Sequence, residues 1–261
     1  MSGLWDGMDA IPLQPGIIYG PVVSRRLGSS LGINLLPTTL KICSYDCLYC
    51  QYGITLPQGY TTTGEKLYKA EEIMVQIETA VRKYPDVNYI TFSGNGEATL
   101  HPDFLEIVEF TVEVRDKYAR RAKTTILSNS SMVNISEVRQ ALMLLDEPIM
   151  KLDVGDTETF KRLNNPTGGI DLEEIIKGLS KLDCKTQTLF VDGEVQNSHG
   201  EVLEQWINAL ARVRPFEAQI YSLDRPHPDP GLQKVSPERL EEIAELAFRR
   251  TGVGIATHYR E

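Results

Sequence analysis

Short apolar runs alternate with stretches of helical periodicity along most of the chain, and this alternation narrows the fold more than any other feature. Gly32-Ile-Asn-Leu-Leu-Pro37 reads as a first strand, and Lys69 to Lys83 then places Ile73, Ile77, Ala80 and Val81 on one helical face. Asn88 to Ser93 is a second strand, followed by the turn Gly94-Asn-Gly-Glu97. A helix from Pro102, placed in its first turn, to Tyr118 leads to a third strand, Thr124 to Ser128. Ile135 to Leu144 is helical, Ile149 to Asp153 a fourth strand, Asp171 to Leu182 helical and Thr186 to Val191 a fifth strand. A helix over Gly200 to Val213 and a sixth strand, Glu217 to Leu223, complete the series. Ser236 then reads as the N-cap, and Pro237 as the first residue, of a last helix through Arg249.

Strands separated by helices build parallel sheets from right-handed βαβ units. The expected class is therefore α/β: a partial (βα)6 TIM-like barrel of parallel strands with a C-terminal helix. Such sheets gather functional groups at the C-terminal ends of their strands. That rule puts the loop after strand one, Gly94, Asn95, Gly96 and Glu97 after strand two, and Ser128 and Asn129 on one rim. Lys151 and Asp153 join them from strand four, Asp192 from strand five, and Asp224 and Arg225 from strand six. Two residues apart, Lys151 and Asp153 point to the same side, the interior of a closed or nearly closed barrel. Charges there are costly unless paired or ligand-bound, so an ion pair and a ligand contact are the two readings of this pair.

The 261 residues suffice for one large α/β domain with a buried core, and two small domains also fit. No apolar run approaches a membrane span, and the N-terminus has no basic stretch followed by an apolar one, so the expected compartment is the cytoplasm. A net charge of −9 opposes extensive nucleic-acid binding, with Arg25–Arg26 and Arg120–Arg121 as candidates for a local basic patch.

Cys43, Cys47 and Cys50 lie within eight residues of one another, in the loop after the first strand. A disulfide framework spreads its cysteines, whereas clustered cysteines in a cytosolic chain point to a metal. Thiolates suit both zinc and iron–sulfur clusters. A structural zinc site takes a fourth protein ligand. Cys184, expected to be a buried structural cysteine, and the four histidines His101, His199, His227 and His258 form no short-spaced pair to supply it. A [4Fe–4S] cluster on three cysteines instead leaves one iron open. From spacing alone, a zinc knuckle and a simple electron-transfer cluster stay open as alternatives.

Cys43-Ser-Tyr-Asp-Cys47-Leu-Tyr-Cys50 resembles the CxxxCxxC signature of the radical S-adenosylmethionine (radical SAM) superfamily, including the aromatic residue before the last cysteine. Gly94-Asn-Gly-Glu97 lies where that family carries a GGEP-like turn, with Asn95 and Ala98 departing from the pattern. Tyr19 to Gly28, Leu31 to Asn34 and Tyr221 to Pro226 further resemble a branch that includes the wyosine-synthase-related Fe–S oxidoreductases. The likeness in strand order covers about residues 30 to 225, which divides the chain into an N-terminal extension (1–30) packed on the barrel, a radical SAM core (31–225) and a C-terminal extension and helix (226–261).

The resemblance implies that Cys43, Cys47 and Cys50 bind three irons of a [4Fe–4S] cluster, and that the amino and carboxylate groups of S-adenosylmethionine chelate the fourth. It places Tyr49 near the adenine, the backbone of Gly94, Asn95, Gly96 and Glu97 at the methionine amino group, and Ser128, Asn129, Lys151 and Asp153 at the ribose and carboxylate. The implied reaction is reductive cleavage to methionine and a 5′-deoxyadenosyl radical, which abstracts hydrogen from a small molecule or nucleobase. An external one-electron donor of flavodoxin or ferredoxin type is implied as well. Alternatives are a radical activase or modifier of a protein or peptide, wyosine-type modification of a tRNA base, and a non-enzymatic iron–sulfur or zinc protein. The archaeal wyosine synthases carry a second cluster with its own cysteines, for which only Cys184 is left here. Arg25, Arg26, Asp192, Asp224 and Arg225 are the candidate substrate contacts, with Glu194 and His227 beside them.

Overall fold

In a strand successive side chains point to opposite faces, so one face of the central strands collects an apolar set and the other a largely polar or small one. In the computed structural model, which describes residues 10–60, 62 and 67–259, these segments are β2 (Gly28–Ile33), β3 (Tyr89–Phe92), β4 (Lys123–Ser128), β5 (Glu147–Lys151), β6 (Lys185–Gly193) and β7 (Glu217–Ser222). They pair in parallel in that order. The apolar set, with Leu31, Ile33, Ile90, Phe92, Ile126, Met150, Phe190 and Ile220, is fully buried. It packs beneath helices α1 (Ala70–Lys83), α2 (Phe104–Tyr118), α3 (Ser136–Leu144), α5 (Leu172–Leu179), α6 (Gly200–Val213) and α7 (Pro237–Thr251), as Phe92 on Phe104 and Phe190 on Trp206 illustrate.

The other set lines the concave face. Register places Gly32, Thr91, Thr125 and Glu147 side by side, and likewise Lys151, Gln187 and Gln219. The sheet is strongly curved. The turn that precedes β2 sends Arg26 across the concave face to Gln187 on β6 and to the ring of Tyr221 on β7.

Helix ends follow local chemistry. Ser236 caps α7 through the Arg239 N–H (3.2 Å), Pro237 occupies its first position, and Gly252 ends it in the left-handed region. Asp171 caps α5 through the Glu174 N–H (3.0 Å).

The expected α/β class, a partial barrel of parallel strands left unclosed, is what forms, with corrections to its first strand, its strand count and its helix bounds. The first parallel strand is Gly28–Ile33, so Asn34 to Pro37 is buried loop beyond its end, not strand. Among the described residues there are nine strands, not six: β1 (Ile18–Ser24) pairs antiparallel with β2, β8 (Leu232–Lys234) antiparallel with β6, and β9 (Ile255–His258) parallel with β7. The sheet runs β1-β2-β3-β4-β5-β6-β7-β9 and does not close, because β1 and β9 do not pair. Among the helices, Pro102 lies outside α2, α5 ends at Leu179, and a further helix, α4 (Thr157–Leu163), follows β5.

The first residues of β3 to β7, namely Tyr89, Lys123, Glu147, Lys185 and Glu217, meet at the N-terminal end of the concave face. Glu147 accepts from Tyr89 (2.7 Å), pairs with Lys123 and lies 3.0 Å from Lys185, which also reaches Glu217 at 3.1 Å. Burial alone raises the Glu147 carboxyl, but Lys123, Tyr89 and Lys185 hold it down at about 2. A depressed carboxyl stabilises the fold above its ordinary value of 4.5, and that contribution is lost as pH falls toward about 2. Glu147→Gln is therefore expected to flatten the pH dependence of the melting temperature in that window. At neutral pH it should cost about 1–3 kcal/mol. Melting curves of both proteins across the acid range check this, and an unchanged acid slope excludes Glu147 as its source.

Candidate active site

The loop between β2 and α1 begins with Asn34, whose side chain donates to the Leu36 carbonyl (2.8 Å) and accepts from the Asn95 N–H (3.0 Å). Further on, the Ile42 N–H donates to the Asn95 carbonyl and the Glu97 N–H to the Ile42 carbonyl, both at 2.9 Å. These bonds bring the turn after β3 against the cysteine loop. Gly96 makes the approach possible: its φ is +138°, and a Cβ there would lie 1.7 Å from the Ile42 carbonyl oxygen. On the loop's other side, Asp46 and Leu48 donate to the Asn165 and Leu163 carbonyls at the end of α4 (both 3.0 Å). The loop is thus clamped between the Gly94–Glu97 turn and α4.

Cys47 is buried, Cys43 and Cys50 are half-buried, and all three thiols are free. The Asn129 amide donates to the Cys43 sulfur (3.5 Å) and to the Ser44 hydroxyl (2.9 Å), and the Asn164 amide donates to the Cys47 sulfur (3.6 Å). Burial pushes the Cys43 thiol up to about 12 and the Cys47 thiol up to about 11. A metal must then displace protons to bind, so loading is coupled to pH. Among the described residues, no three His, Cys, Asp or Glu side chains are grouped for a single metal ion. Three thiols on one loop, two of them with amide N–H donors to sulfur, do fit an iron–sulfur cluster, whose sulfurs take such bonds. The Asn164 Oδ1 is buried without a partner, one further polar atom left for a ligand at this site.

Glu97 is buried and accepts from the Thr99 N–H (3.1 Å), the Thr99 hydroxyl (2.6 Å), the Ser128 hydroxyl (3.0 Å) and the Asn129 N–H (2.6 Å). Burial raises its carboxyl, against the pull of these donors. Its side chain ties the β3 turn to the end of β4, leaving backbone as what the turn can present to a ligand. Asn95 faces away from the cysteines. Its side chain binds both backbone groups of Gln14 (2.7 and 3.0 Å) and the Pro37 carbonyl (2.9 Å), which accounts for an amide at that position of the turn.

Asp153 is fully buried just beyond β5, receiving Tyr49, Asn164 (2.7 Å) and the Leu189 N–H (2.9 Å), with Lys151 at 3.4 Å. The Lys151 ammonium lies 5.0 Å from the centre of the Tyr49 ring and 5.9 Å from that of Tyr221. Tyr49, Lys151 and Asp153 are therefore one connected group beside Cys47. Sequence reasoning missed Lys41, Asn164 and Asn197. Asn197 braces the Asp153 and Leu189 carbonyls (both 2.9 Å). None of the three belongs to a motif; Asn164 reaches Cys47 across 117 residues and Asn197 the Asp153 carbonyl across 44, while Lys41 is close in sequence but buried only by the folded loop.

Of the five candidate substrate contacts, only Arg26 reaches the concave face, 2.9 Å from Gln187 Oε1 and 4.8 Å from the Tyr221 ring centre. Arg25 and Lys234 both pair with Asp224, the latter at 3.0 Å. Asp192 accepts from Ser198 and lies 2.9 Å from His199, before α6. Arg225 is exposed.

Residues 38–214, more than half of the chain, match the family model described as Radical SAM superfamily. A UPF0026 protein of Helicobacter pylori is 34% identical over 219 residues, 81% of this chain and 68% of that protein. A protein named GTPase Obg from Brachyspira hyodysenteriae is 29% identical over 230 residues, 86% of this chain, and the chain spans only 32% of its length. Among solved structures, TYW1 with a lysine–pyruvate adduct bound superposes with a TM-score of 0.60 over 86% of this chain and 75% of that one, at 13% identity, a likeness of fold. The match over the cysteine loop, the glycine turn and the parallel strands places this chain in the radical SAM superfamily, whose members use a [4Fe–4S] cluster and S-adenosylmethionine.

Proposed function

We propose that this chain is a cytoplasmic enzyme that abstracts a hydrogen atom from a small molecule or nucleobase held against the concave face of the sheet. One observation carries the reading. The cysteine loop, the Gly94–Glu97 turn and the Tyr49–Lys151–Asp153 group open at the C-terminal ends of the strands onto one polar surface, whose opposite end is sealed by the Glu147 network.

In this reading Cys43, Cys47 and Cys50 would hold the cluster, with S-adenosylmethionine bound beside it. Given one electron from a flavodoxin- or ferredoxin-type donor, the two together would supply a 5′-deoxyadenosyl radical. The chain's own work is positioning. Glu97 and Asn95 hold the turn backbone toward the methionine end, Asp153 orients the Tyr49 hydroxyl, and Asn129 aligns Cys43 with Ser44. In the same reading Ser128, Asn129 and Lys151 would meet the ribose or carboxylate on this rim. Arg26, steadied by Gln187 and Tyr221, is placed to hold an anionic group of the substrate.

Anaerobic reconstitution with iron and sulfide, followed by dithionite and S-adenosylmethionine, is expected to yield 5′-deoxyadenosine. Cys47→Ala should lose both the iron–sulfur absorbance and the product. An intact cluster with bound S-adenosylmethionine and no 5′-deoxyadenosine overturns the proposal. Deuterated candidate substrates, scored by label in the product, then identify the donor of the hydrogen.

A further inference from the structure

Two of the three cysteine sulfurs take a side-chain amide donor, and the third lies beside a charged neighbour. Asn129 serves Cys43 and Asn164 serves Cys47, both as neutral amides. Lys41 is held at the Cys50 end of the loop: its ammonium donates to the Gly53 carbonyl (2.7 Å), the Gly53 N–H donates to the Cys50 carbonyl (2.9 Å), and the titratable neighbours of the ammonium are the thiols of Cys50, Cys43 and Cys47. Lys41 is only 5% exposed. Among the described residues it pairs with no carboxylate.

A buried ammonium without a carboxylate is expensive to keep. The cost is offset only when negative charge is brought beside it, and here that charge is what three thiolates would carry when they hold a cluster. One-electron reduction adds a further negative charge at the same place. A fixed cation in a poorly solvated site favours the more negative state, and charge and hydrogen bonds at the sulfurs are established levers on cluster potential.

We infer that Lys41 is the counter-charge of the cysteine site and raises the reduction potential of the cluster that Cys43, Cys47 and Cys50 hold. This rests on the reading of those cysteines as cluster ligands. Lys41 acts through the cluster's surroundings and is a positioning residue, not a catalytic one.

The test compares Lys41→Gln, which keeps an N–H donor and removes the charge, with Lys41→Arg, which keeps the charge. Reconstituted proteins are titrated with dithionite through redox mediators, one electron per cluster, while the reduced cluster is followed by electron paramagnetic resonance. At the wild-type midpoint, Lys41→Gln is expected to show at least a tenfold lower ratio of reduced to oxidised cluster, equivalent to about 59 mV for one electron. Lys41→Arg should stay near the wild type. Without iron, Lys41→Gln should melt at or above the wild type, because an unpaired buried charge has been removed. Loss of the cluster from a Lys41→Gln protein that melts normally also supports the counter-charge. A fully loaded Lys41→Gln protein with the wild-type potential, or an iron-free one that melts well below the wild type, overturns the inference. Failure of the wild type itself to bind iron and sulfide instead overturns the reading of the cysteines.

Discussion

Gly96→Ala is expected to destroy the cysteine site while leaving the rest of the sheet able to form. The new Cβ would meet the Ile42 carbonyl oxygen at 1.7 Å, its carbon at 2.4 Å and the Ile42 nitrogen at 3.1 Å, all of them backbone. Ile42 cannot retreat freely, because its N–H and carbonyl are bonded to Asn95 and Glu97 at 2.9 Å each. A φ of +138° adds about 1–3 kcal/mol of strain for any side chain. Together these effects should exceed about 4 kcal/mol, or separate the turn from the loop so that iron is no longer retained. Gly168→Ala is the matched control: a Cβ there meets nothing within 4 Å, and stability should stay within about 0.5 kcal/mol. Iron content after reconstitution and the melting temperature of the iron-free protein report the two outcomes. Wild-type values for both in Gly96→Ala would show that the turn does not press on the cysteine loop.

Glu97→Ala should be nearly as damaging, for a different reason. The carboxylate is the common acceptor for donors from Thr99, Ser128 and Asn129, and its removal leaves them unpaired in a buried place. Each buried donor left unpaired costs about 1–3 kcal/mol. The effect then spreads to the cysteines, since Asn129 also donates to the Cys43 sulfur and to Ser44. Glu97→Gln keeps one acceptor oxygen but turns an amide toward the Asn129 N–H, so its stability should fall between alanine and wild type. Thermal unfolding of both variants measures this order, and a glutamine variant no better than alanine would mean that only the charged form can organise the turn.

Much of the fold was legible because its determinants are local. β3 to β7 are short apolar runs between stretches of helical periodicity, and each is told by the composition of its own few residues. Ser236, Pro237 and Gly252 mark α7 by the conformations that their own backbones adopt. The edge strands were not legible for the opposite reason. β1 contains Pro21, leaves Val23 95% exposed and is fixed by pairing with β2, so nothing in its own pattern distinguishes it from a loop. Asn34 to Pro37 misled in the other direction: it is apolar and buried, yet beyond the strand, because the Asn34 side chain satisfies the backbone of the turn.

At the site itself, the three cysteines could be read directly, since eight residues of loop keep their thiols in reach of one another in almost any conformation. Which neighbours serve those sulfurs was a matter for the tertiary structure. Asn129 and Asn164 arrive from 86 and 117 residues away. Lys41 is only two residues from Cys43, but its burial depends on the loop being clamped by the β3 turn and α4. Short-range spacing carries the identity of the ligands because covalent geometry enforces it. The charge and hydrogen bonding around them depend on packing between distant segments, which only the folded chain decides.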